Sequence, residues 1–298
     1  MDIKDIKYVA TVAQTRNFSM AAKLLYISQP ALSQYIHRLE NELGIVLFKR
    51  TKSKVSLSEF GELFLKNGIP ILEDVQNLEC KMKELSTLKR SNLKVGMSQF
   101  YGKYLLPVIL PIFNKLYPYV KIKVVEDVSS ILEKKIISDQ VDLAIIPLPL
   151  SSFKVKYDLI FKEKIKFAVC SSNIVVKKFL NTITEDDFID LSIFKDEPFI
   201  ALKSGFKMRN VLESICEEFN FRPNVVLETE NLDTVNSLVS RNCGVSILPD
   251  IISKYNNVKY FNVNSSFSSR PICVAYKYNK YISKESRDFI SILKKYYL

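Results

Sequence analysis

The sequence is poor in residue types on which enzyme chemistry depends. Its 298 residues include one histidine, seven glycines and no tryptophan. A single histidine leaves no convincing Ser-His-Asp arrangement, and the glycines form no phosphate-binding loop. The paired carboxylates at 186–187 and 217–218 are adjacent in the chain, so on a helix they do not face one site. The composition argues against an enzyme, and we expect no catalytic residues and no cofactor.

Cysteine usage and apolar segments exclude further classes. The five cysteines are far apart and form no CxxC pair, so neither a metal site nor a disulfide framework is expected. An odd, scattered set suits a reducing compartment. The most apolar stretch, 141–150, is interrupted by Asp142 and two prolines and falls short of the roughly 20 residues that span a bilayer. No secretory signal opens the chain. We expect a cytoplasmic protein without a membrane partner.

What the chain does have is basic charge, concentrated near the N-terminus. The formal net charge is +11. Residues 1–58 contain nine Lys and Arg against four acidic residues, a net charge of +5, while the remaining 240 residues carry +6. A basic balance favours polyanionic partners such as nucleic acid.

The first sixty residues predict three short helices followed by a hairpin. Apolar residues from Ile3 to Ala13 give one helical face, and a second helix follows Asn17. The third starts after Ser28, a good N-cap, and stops at Gly44, which tolerates a left-handed conformation. Its inward stripe leaves polar side chains on the other faces, and Gln, Ser and Arg are the side chains that read base edges in a major groove.

Residues 47–58 are interpreted as two short strands around a basic turn, which can lie on phosphates or enter the minor groove. Ser28 and Pro30 are equally explained as helix-capping residues, and His37 as a plain surface residue. The candidate DNA-binding residues are Ser28, Gln29, Pro30, Ser33, Gln34, His37, Arg38, Lys49, Arg50, Thr51 and Lys52.

Residues 58 to about 89 alternate apolar residues at spacings of three and four, which predicts a coiled-coil dimer seam. Pro70 predicts a kink or break near Gly68. The alternative is one amphipathic helix packed on its own domain; two joined copies would instead read a partly symmetric operator. The seam residues are Leu57, Phe64, Ile71, Val75, Leu78, Met82 and Leu85, with Gly61 and Gly68 at further seam positions.

From Asn92 onward, strands and helices alternate, which predicts parallel sheet in two α/β lobes. A ligand would lie in the cleft at the carboxyl ends of strands, near helix N-termini. Hydroxyl, amide and lysine groups there suit a small polar or anionic metabolite, although a serine before a helix often serves only as an N-cap. The candidate effector-binding residues are Ser98, Gln99, Phe100, Ser129, Ser130, Lys203, Ser204, Asn231 and Thr234.

Four N-terminal segments resemble the DNA-binding signature of LysR-type transcriptional regulators: NFSMAAKLL at 17–25, SQPALS at 28–33, RLENELG at 38–44 and LFKR at 47–50. Many members carry Arg where this chain has Gln34 or Tyr35. In this chain we therefore expect Arg38 and the basic hairpin to make the positively charged contacts with DNA. The segments LKVG at 93–96, VDLAI at 141–145 and CGVSILP at 243–249 are similar to the effector-binding domain of the same family.

The resemblance implies an α+β multidomain protein: a winged helix-turn-helix at 1–58, a linker helix at 59–90, and a two-lobed periplasmic-binding-protein-like domain at 91–298. Lobe I would span about 91–161 and 270–298, and lobe II about 162–269, with crossings near 161–164 and 267–271. The family dimerises through the linker helix and commonly forms tetramers. The implied partners are double-stranded DNA, a small-molecule effector, further copies of the chain and RNA polymerase.

Two alternative functions stay open at this point. A thiol-based redox sensor of the same family would use two cysteines close in sequence, whereas Cys216 and Cys243 are 27 residues apart and sequence does not reveal a lowered thiol pKa. A solute-binding transport protein would need export and would leave the first 90 residues without a role.

Overall fold

The computed structural model describes residues 1–50, 55–86, 92–179, 184 and 187–297, and the side chains of residues 50, 80, 83–86 and 179 lie outside this description. The chain forms two compact units. One comprises Met1–Thr87 with Asn279–Ser283, and the other comprises Leu88–Tyr278 with Lys284–Leu298. Each is described separately below.

The first unit begins with a winged helix-turn-helix. Its helices are α1 (Ile3–Thr15), α2 (Phe18–Leu24) and α3 (Gln29–Leu43), and its wing is the antiparallel pair β1 (Phe48–Arg50) and β2 (Val55–Leu57). The side chains of Asp2, Asn17 and Ser28 cap the three helices, and Gly44 ends α3 in the left-handed conformation with φ of 69°. The core is formed by fully buried apolar residues, among them Val9, Val12, Ala21, Leu32, Ile36 and Leu47.

The long helix α4 (Glu59–Ser86) follows the wing. It continues through Pro70, so of the kink or break expected near Gly68 the break does not occur. Gly68 lies against α1, where a Cβ would come within 2.6 Å of Ile6 Cγ2. Proline removes a single N–H from the helix, and packing on α1 holds the chain helical on either side of it.

Gly61 and Gly68 are not part of an outward seam, contrary to expectation. Both are buried with Leu65 on the face that packs on the winged helix-turn-helix, and a Cβ at Gly61 would lie 2.2 Å from the Leu47 carbonyl oxygen. Phe64 packs against the same core, and Leu57 lies in strand β2 rather than in the helix. Farther along the same face of α4, Ile71, Leu78 and Met82 are exposed, while Val75 is half-buried. Leu85 lies among the side chains outside the description.

The second unit contains the two expected α/β lobes, connected by two strands. Lobe I has the strand order β4-β3-β5-β12-β6, with β3 parallel to β4 and β5. Its elements are β3 (Asn92–Met97), α5 (Gln99–Leu116), β4 (Lys121–Glu126), α6 (Ser129–Ile137), β5 (Leu143–Pro147), part of β6 (Val155–Cys170), β12 (Ser269–Lys277) and α10 (Lys284–Tyr297).

In lobe II, β6 pairs with β10 and β11, and β8 runs parallel to β9. Its elements are α7 (Ile174–Phe179), β7 (Phe188–Ile189), a 3-10 turn (Leu191–Phe194), β8 (Pro198–Leu202), α8 (Lys207–Glu218), β9 (Asn224–Thr229), α9 (Leu232–Ser240), β10 (Ser246–Pro249) and β11 (Val258–Val263).

The chain crosses from lobe I to lobe II within β6 and returns to lobe I at the start of β12. Lys164 pairs with Ser269 on the lobe I side, while Ile165 pairs with Pro249 on the lobe II side. The return passes Ser268, whose carbonyl accepts from Ile165 N at 2.8 Å. The crossing strands therefore lie side by side.

Candidate DNA-binding surface and effector cleft

Helix α3 presents one apolar and one polar face. Leu32 and Ile36 are fully buried and Leu39 is nearly so, because these positions recur on the face that meets α1 and α2. Ser28 also accepts a hydrogen bond from Ala31 N at 3.3 Å, so it does cap the helix. Among the predicted DNA-binding residues, Ser28, Gln29, Pro30, Gln34, His37 and Arg38 are exposed and Ser33 is half-buried.

Tyr35 ties α3 to α1 and lies under Arg38. Its hydroxyl donates to Asp5 Oδ1 at 2.8 Å, and its ring centroid lies 4.7 Å from that of Tyr8. Burial and the neighbouring Asp5 carboxylate raise the pKa of the phenol well above its ordinary value. The Arg38 guanidinium lies 5.2 Å from the centre of the Tyr35 ring, a cation–π distance that holds the charge at the helix surface. Tyr35 is thus a positioning residue at this surface.

The wing is attached to α3 through Glu40, which sequence reasoning missed. This buried carboxylate accepts from Leu47 N at 2.7 Å and from Phe48 N at 3.1 Å. Lys49 is exposed on β1, and Arg50 ends that strand. The side chain of Arg50 and the predicted contacts Thr51 and Lys52 lie outside the described residues. A glutamate on the third helix, seven residues before Leu47 and the predicted hairpin, was the available signal, since the hairpin's first N–H groups need acceptors.

A cleft of about 340 Å³ lies between the two lobes. Ser130, Lys203, Ser204 and Thr234 do not line it. Ser130 and Thr234 are exposed, one position beyond Ser129 and two beyond Leu232 respectively, and the exposed Lys203 pairs with Glu230 at 2.9 Å. Of the nine predicted effector-binding residues, Ser98, Gln99, Phe100, Ser129 and Asn231 line the cleft.

Four helices begin at this cleft, and their caps differ. Ser98 caps α5 by accepting from Tyr101 N at 3.4 Å, and Asn231 caps α9. The N-cap residues of α6 and α8 are Val128 and Phe206, and neither makes a side-chain capping hydrogen bond. The Asp127 carboxylate accepts from Val128 N at 2.9 Å at the start of α6, while the first two N–H groups of α6 and of α8 donate to no described side chain. The positive dipole ends of both helices lie at the cleft.

The base of the cleft holds a buried ionic network that was not predicted from the sequence. Arg270 Nε donates to Glu163 Oε2 at 2.6 Å, and its Nη2 donates to the Tyr101 hydroxyl at 3.2 Å. Tyr101 in turn donates to Glu163. Burial alone would lower the pKa of Arg270, but the Glu163 charge outweighs it and holds the pKa above its ordinary value. Burial raises the pKa of Tyr101 well above its ordinary value.

Lys207 opens α8 in lobe II and reaches into lobe I. Its Nζ donates to the carbonyl oxygens of Pro147 and Pro149, both at 2.6 Å. Glu133 Oε1 lies 3.8 Å from this amine, is buried and makes no hydrogen bond, while Glu133 Oε2 accepts from Ser151 N at 2.7 Å. Burial lowers the pKa of Lys207 despite the Glu133 charge. Sequence reasoning missed Lys207; Gly205, three residues after the end of β8, was the available signal for a turn before this helix.

A second polar contact joins the lobes beside the cleft. Asp233 in α9 accepts from the Tyr104 hydroxyl at 2.7 Å and from Lys103 Nζ at 2.6 Å, both from α5. The Tyr104 hydroxyl also accepts from Ser253 N at 3.0 Å. Polar contacts from Lys207 and from Tyr104 therefore join lobe I to lobe II.

The cysteines form no pair in the described part of the chain. Cys170, Cys216 and Cys273 are buried free thiols, and Cys243 is exposed. Burial raises the pKa of both Cys216 and Cys273 to about 12. Within the described residues, no group of three or more His, Cys, Asp or Glu side chains could hold a metal ion, and no helix is long and apolar enough to cross a bilayer.

An exposed helix beside a wing, joined in one chain to a two-lobed α/β unit with a cleft, defines a DNA-binding regulator with a ligand-binding domain. Two family models match the chain. Residues 3–62 match the bacterial regulatory helix-turn-helix protein of the lysR family, and residues 86–297 match the LysR substrate binding domain. The chain belongs to the LysR family of transcription regulators.

Relatives and solved structures agree with this membership. The HTH-type transcriptional regulator YcgK of Bacillus subtilis is 31% identical, over 98% of this chain and 94% of its own length. A full-length OxyR variant from Pseudomonas aeruginosa has a TM-score of 0.62 at 24% identity, covering 99% of this chain and 94% of that one. Full-length CbnR in complex with its target DNA has a TM-score of 0.57 at 18% identity, covering 99% of each chain. These two structures support the fold.

Proposed function

We propose that α3 reads a DNA major groove through Gln29, Ser33, Gln34 and Arg38, with Lys49 and Arg50 on the adjoining backbone. The observation that carries this is the exposed polar face of α3, whose opposite face is fully buried. Gln and Arg side chains donate to and accept from base edges, and the wing cations neutralise phosphates. Ser28 and Pro30 serve chiefly as the cap and first turn of the helix.

Two copies of the chain bind together through the exposed apolar stripe of α4. Ile71, Leu78 and Met82 are 45%, 57% and 51% exposed at spacings that place them on one helical face. Burying this stripe against a second copy removes apolar surface from water. The resulting dimer presents two α3 helices to a partly symmetric operator, and two such dimers assemble into a tetramer that contacts RNA polymerase.

A small metabolite in the cleft regulates this binding. Cleft volumes of roughly 300–1,000 Å³ are typical of small-molecule sites, and the cleft here is lined by elements from both lobes. An effector that contacts one lobe arrangement better than another shifts the population toward it. The protein works in the cytoplasm as a regulator and catalyses no reaction.

The Arg38→Ala and Arg50→Ala variants test the DNA-binding proposal. Each removes one cation, so we expect weaker binding to any duplex and a log affinity against log salt slope reduced by about 1. The measurement is fluorescence anisotropy of the full chain on its promoter duplex over a salt series. Arg222→Ala, which removes an exposed cation from lobe II, is the matched control. Unchanged affinity and slope in both variants would reject the assignment.

A further inference from the structure

The cleft between the lobes carries separated positive and negative poles. The positive pole comprises the uncapped N-termini of α6 and α8, with Lys207 and Arg270 beside them. The charges of Lys207 and Arg270 are offset by Glu133 and Glu163. What remains is the dipole charge of two helix ends, about half a positive charge each.

Arg270 places unused hydrogen-bond donors at this pole. The residue is 9% exposed and lines the cleft. Its Nε and Nη2 donate to Glu163 and Tyr101, whereas its Nη1 donates to none of the described residues. A guanidinium carries five N–H donors, so donors remain at the base of the cleft for an oxygen of an incoming molecule.

The negative pole is Glu126, at the end of β4. Glu126 lines the cleft and makes no hydrogen bond or ion pair with any described residue. A Cβ at Gly102 would lie 3.2 Å from its Oε1, which places the carboxylate beside the first turn of α5. The other acids along the cleft wall are already paired, Asp127 with Lys135 at 2.9 Å and Glu230 with Lys203 at 2.9 Å.

The cleft is also lined by apolar side chains. They are Phe100, Leu202, Phe206, Met208 and Leu232. A simple anion would satisfy the helix ends but would leave the exposed Glu126 carboxylate without a partner, whereas a cationic group there would add a charge-assisted contact. A molecule with one anionic group, one cationic group and an apolar body complements the poles and the wall together.

We propose that the effector is a zwitterion of the α-amino-acid type with an apolar side chain. Its carboxylate binds at the N-termini of α6 and α8 within reach of Arg270 and Lys207, and its ammonium group binds Glu126. This inference rests on the proposed function of the cleft as the effector site.

A panel of matched compounds tests the proposal on the full chain. The panel contains the twenty standard α-amino acids. For each amino acid with an apolar side chain it also contains three analogues that keep this side chain: the N-acetyl amino acid, the amine without the carboxylate, and the carboxylic acid without the amino group. Thermal unfolding and titration calorimetry measure binding. We expect at least one apolar amino acid to bind and each of its single-charge counterparts to bind at least about tenfold more weakly, because each lacks one charge-assisted contact.

Two variants assign the poles. Glu126→Gln changes an exposed, unpaired side chain, so the fold is retained; we expect it to weaken amino-acid binding about tenfold and to abolish the preference over the carboxylic acid. Glu217→Gln, at an exposed position outside the cleft, should bind as the parent does. Lys207→Gln should weaken every carboxylate-bearing compound and leave the amine unaffected.

Three outcomes overturn the proposal: no amino acid in the panel binds, a carboxylic acid binds as tightly as its amino acid, or Glu126→Gln leaves amino-acid affinity unchanged. Duplex binding by the ligand-free chain separates this proposal from the DNA-binding one. If Arg38→Ala binds duplex with the affinity and salt slope of the parent, only the DNA contact is rejected. If no amino acid in the panel binds while duplex binding is normal, only the zwitterion proposal is rejected.

Discussion

At the residue scale, buried charges fix the shape of the cleft. Arg270 and Glu163 are 9% and 1% exposed and bond to each other and to Tyr101. Removing one partner of such a pair leaves an uncompensated buried charge, at a cost of about 3–5 kcal/mol. The network joins α5 to both crossing strands, so it holds the cleft floor in one arrangement and points the remaining guanidinium donors at the ligand.

Thiol reactivity at the residue scale distinguishes an effector sensor from a redox sensor. Peroxide reacts with thiolates, and burial raises the pKa of Cys216 and Cys273 to about 12. In a Cys80→Ser background we expect only Cys243 to react with a disulfide reagent at neutral pH, and Cys216→Ser to leave the peroxide sensitivity of duplex binding unchanged. Mass spectrometry of the labelled chain checks the first result. A peroxide response lost in Cys216→Ser would contradict it.

The same two thiols give stability a defined dependence on pH. Their folded-state pKa of about 12 lies above the ordinary value of 9.0. The unfolded chain therefore loses these protons first as pH rises. Their contribution to stability is fully present below pH 9 and falls as pH rises toward 12. Urea unfolding across this range should show a smaller alkaline loss in Cys216→Ala than in the parent, and Cys243→Ala should behave as the parent does.

At the element scale, the sequence predicts those helix and strand boundaries that are set by residues close by in the chain. Helix α3 begins and ends as predicted because Ser28 and Gly44 act within one turn of their own position. The first half of strand β6 has Lys156, Lys162 and Lys164 in its pattern, so local sequence does not mark it as a strand. It is held by pairing with β12, more than one hundred residues later in the chain.

The candidate sites follow the same division between local and distant causes. Ser98, Ser129 and Asn231 were found because they stand between a strand and a helix, a feature of nearby sequence. Lys207 and Arg270 were missed because their place in the cleft depends on how the two lobes pair. Only the fold brings Arg270 to Glu163, which is 107 residues away in the chain.

Helix α4 gives a prediction at the element scale. In Leu78→Asp a charge replaces an apolar residue that is 57% exposed on the predicted dimer stripe. Burying a leucine contributes about 1.5–3 kcal/mol per copy, so the dimer should dissociate at concentrations where the parent stays dimeric. Light scattering after gel filtration measures the mass. Gln76→Asp, exposed on another face of the helix, is the control. An unchanged dimer in Leu78→Asp would exclude this stripe as the interface.

At the scale of the whole molecule, regulation requires the two lobes to have more than one arrangement. Two polar contacts between the lobes would be present in one arrangement and broken in another. Lys207 donates to the carbonyls of Pro147 and Pro149, and Tyr104 bonds to Asp233 and Ser253. Strand β6 is continuous through both lobes and β12 begins beside the crossing point, so we expect a change in lobe angle to be concentrated near Lys164 and Ser269. Lys207 lines the cleft, so an effector bound there would act directly on the Lys207 contact.

Tyr104→Phe tests this mechanism without touching the DNA-binding surface. The ring, 4.8 Å from that of Phe100, is kept, while Asp233 loses a donor and Ser253 N loses its acceptor. Weakening one interlobe contact by about 1–3 kcal/mol should shift the lobe equilibrium, speed amide exchange at the crossing strands and move the effector concentration for half-maximal response. The salt dependence of ligand-free duplex binding should stay that of the parent. Tyr119→Phe, at a phenol that is 66% exposed, controls for loss of a hydroxyl. Amide exchange and effector response identical to those of the parent would show that the two lobes are not held by this contact.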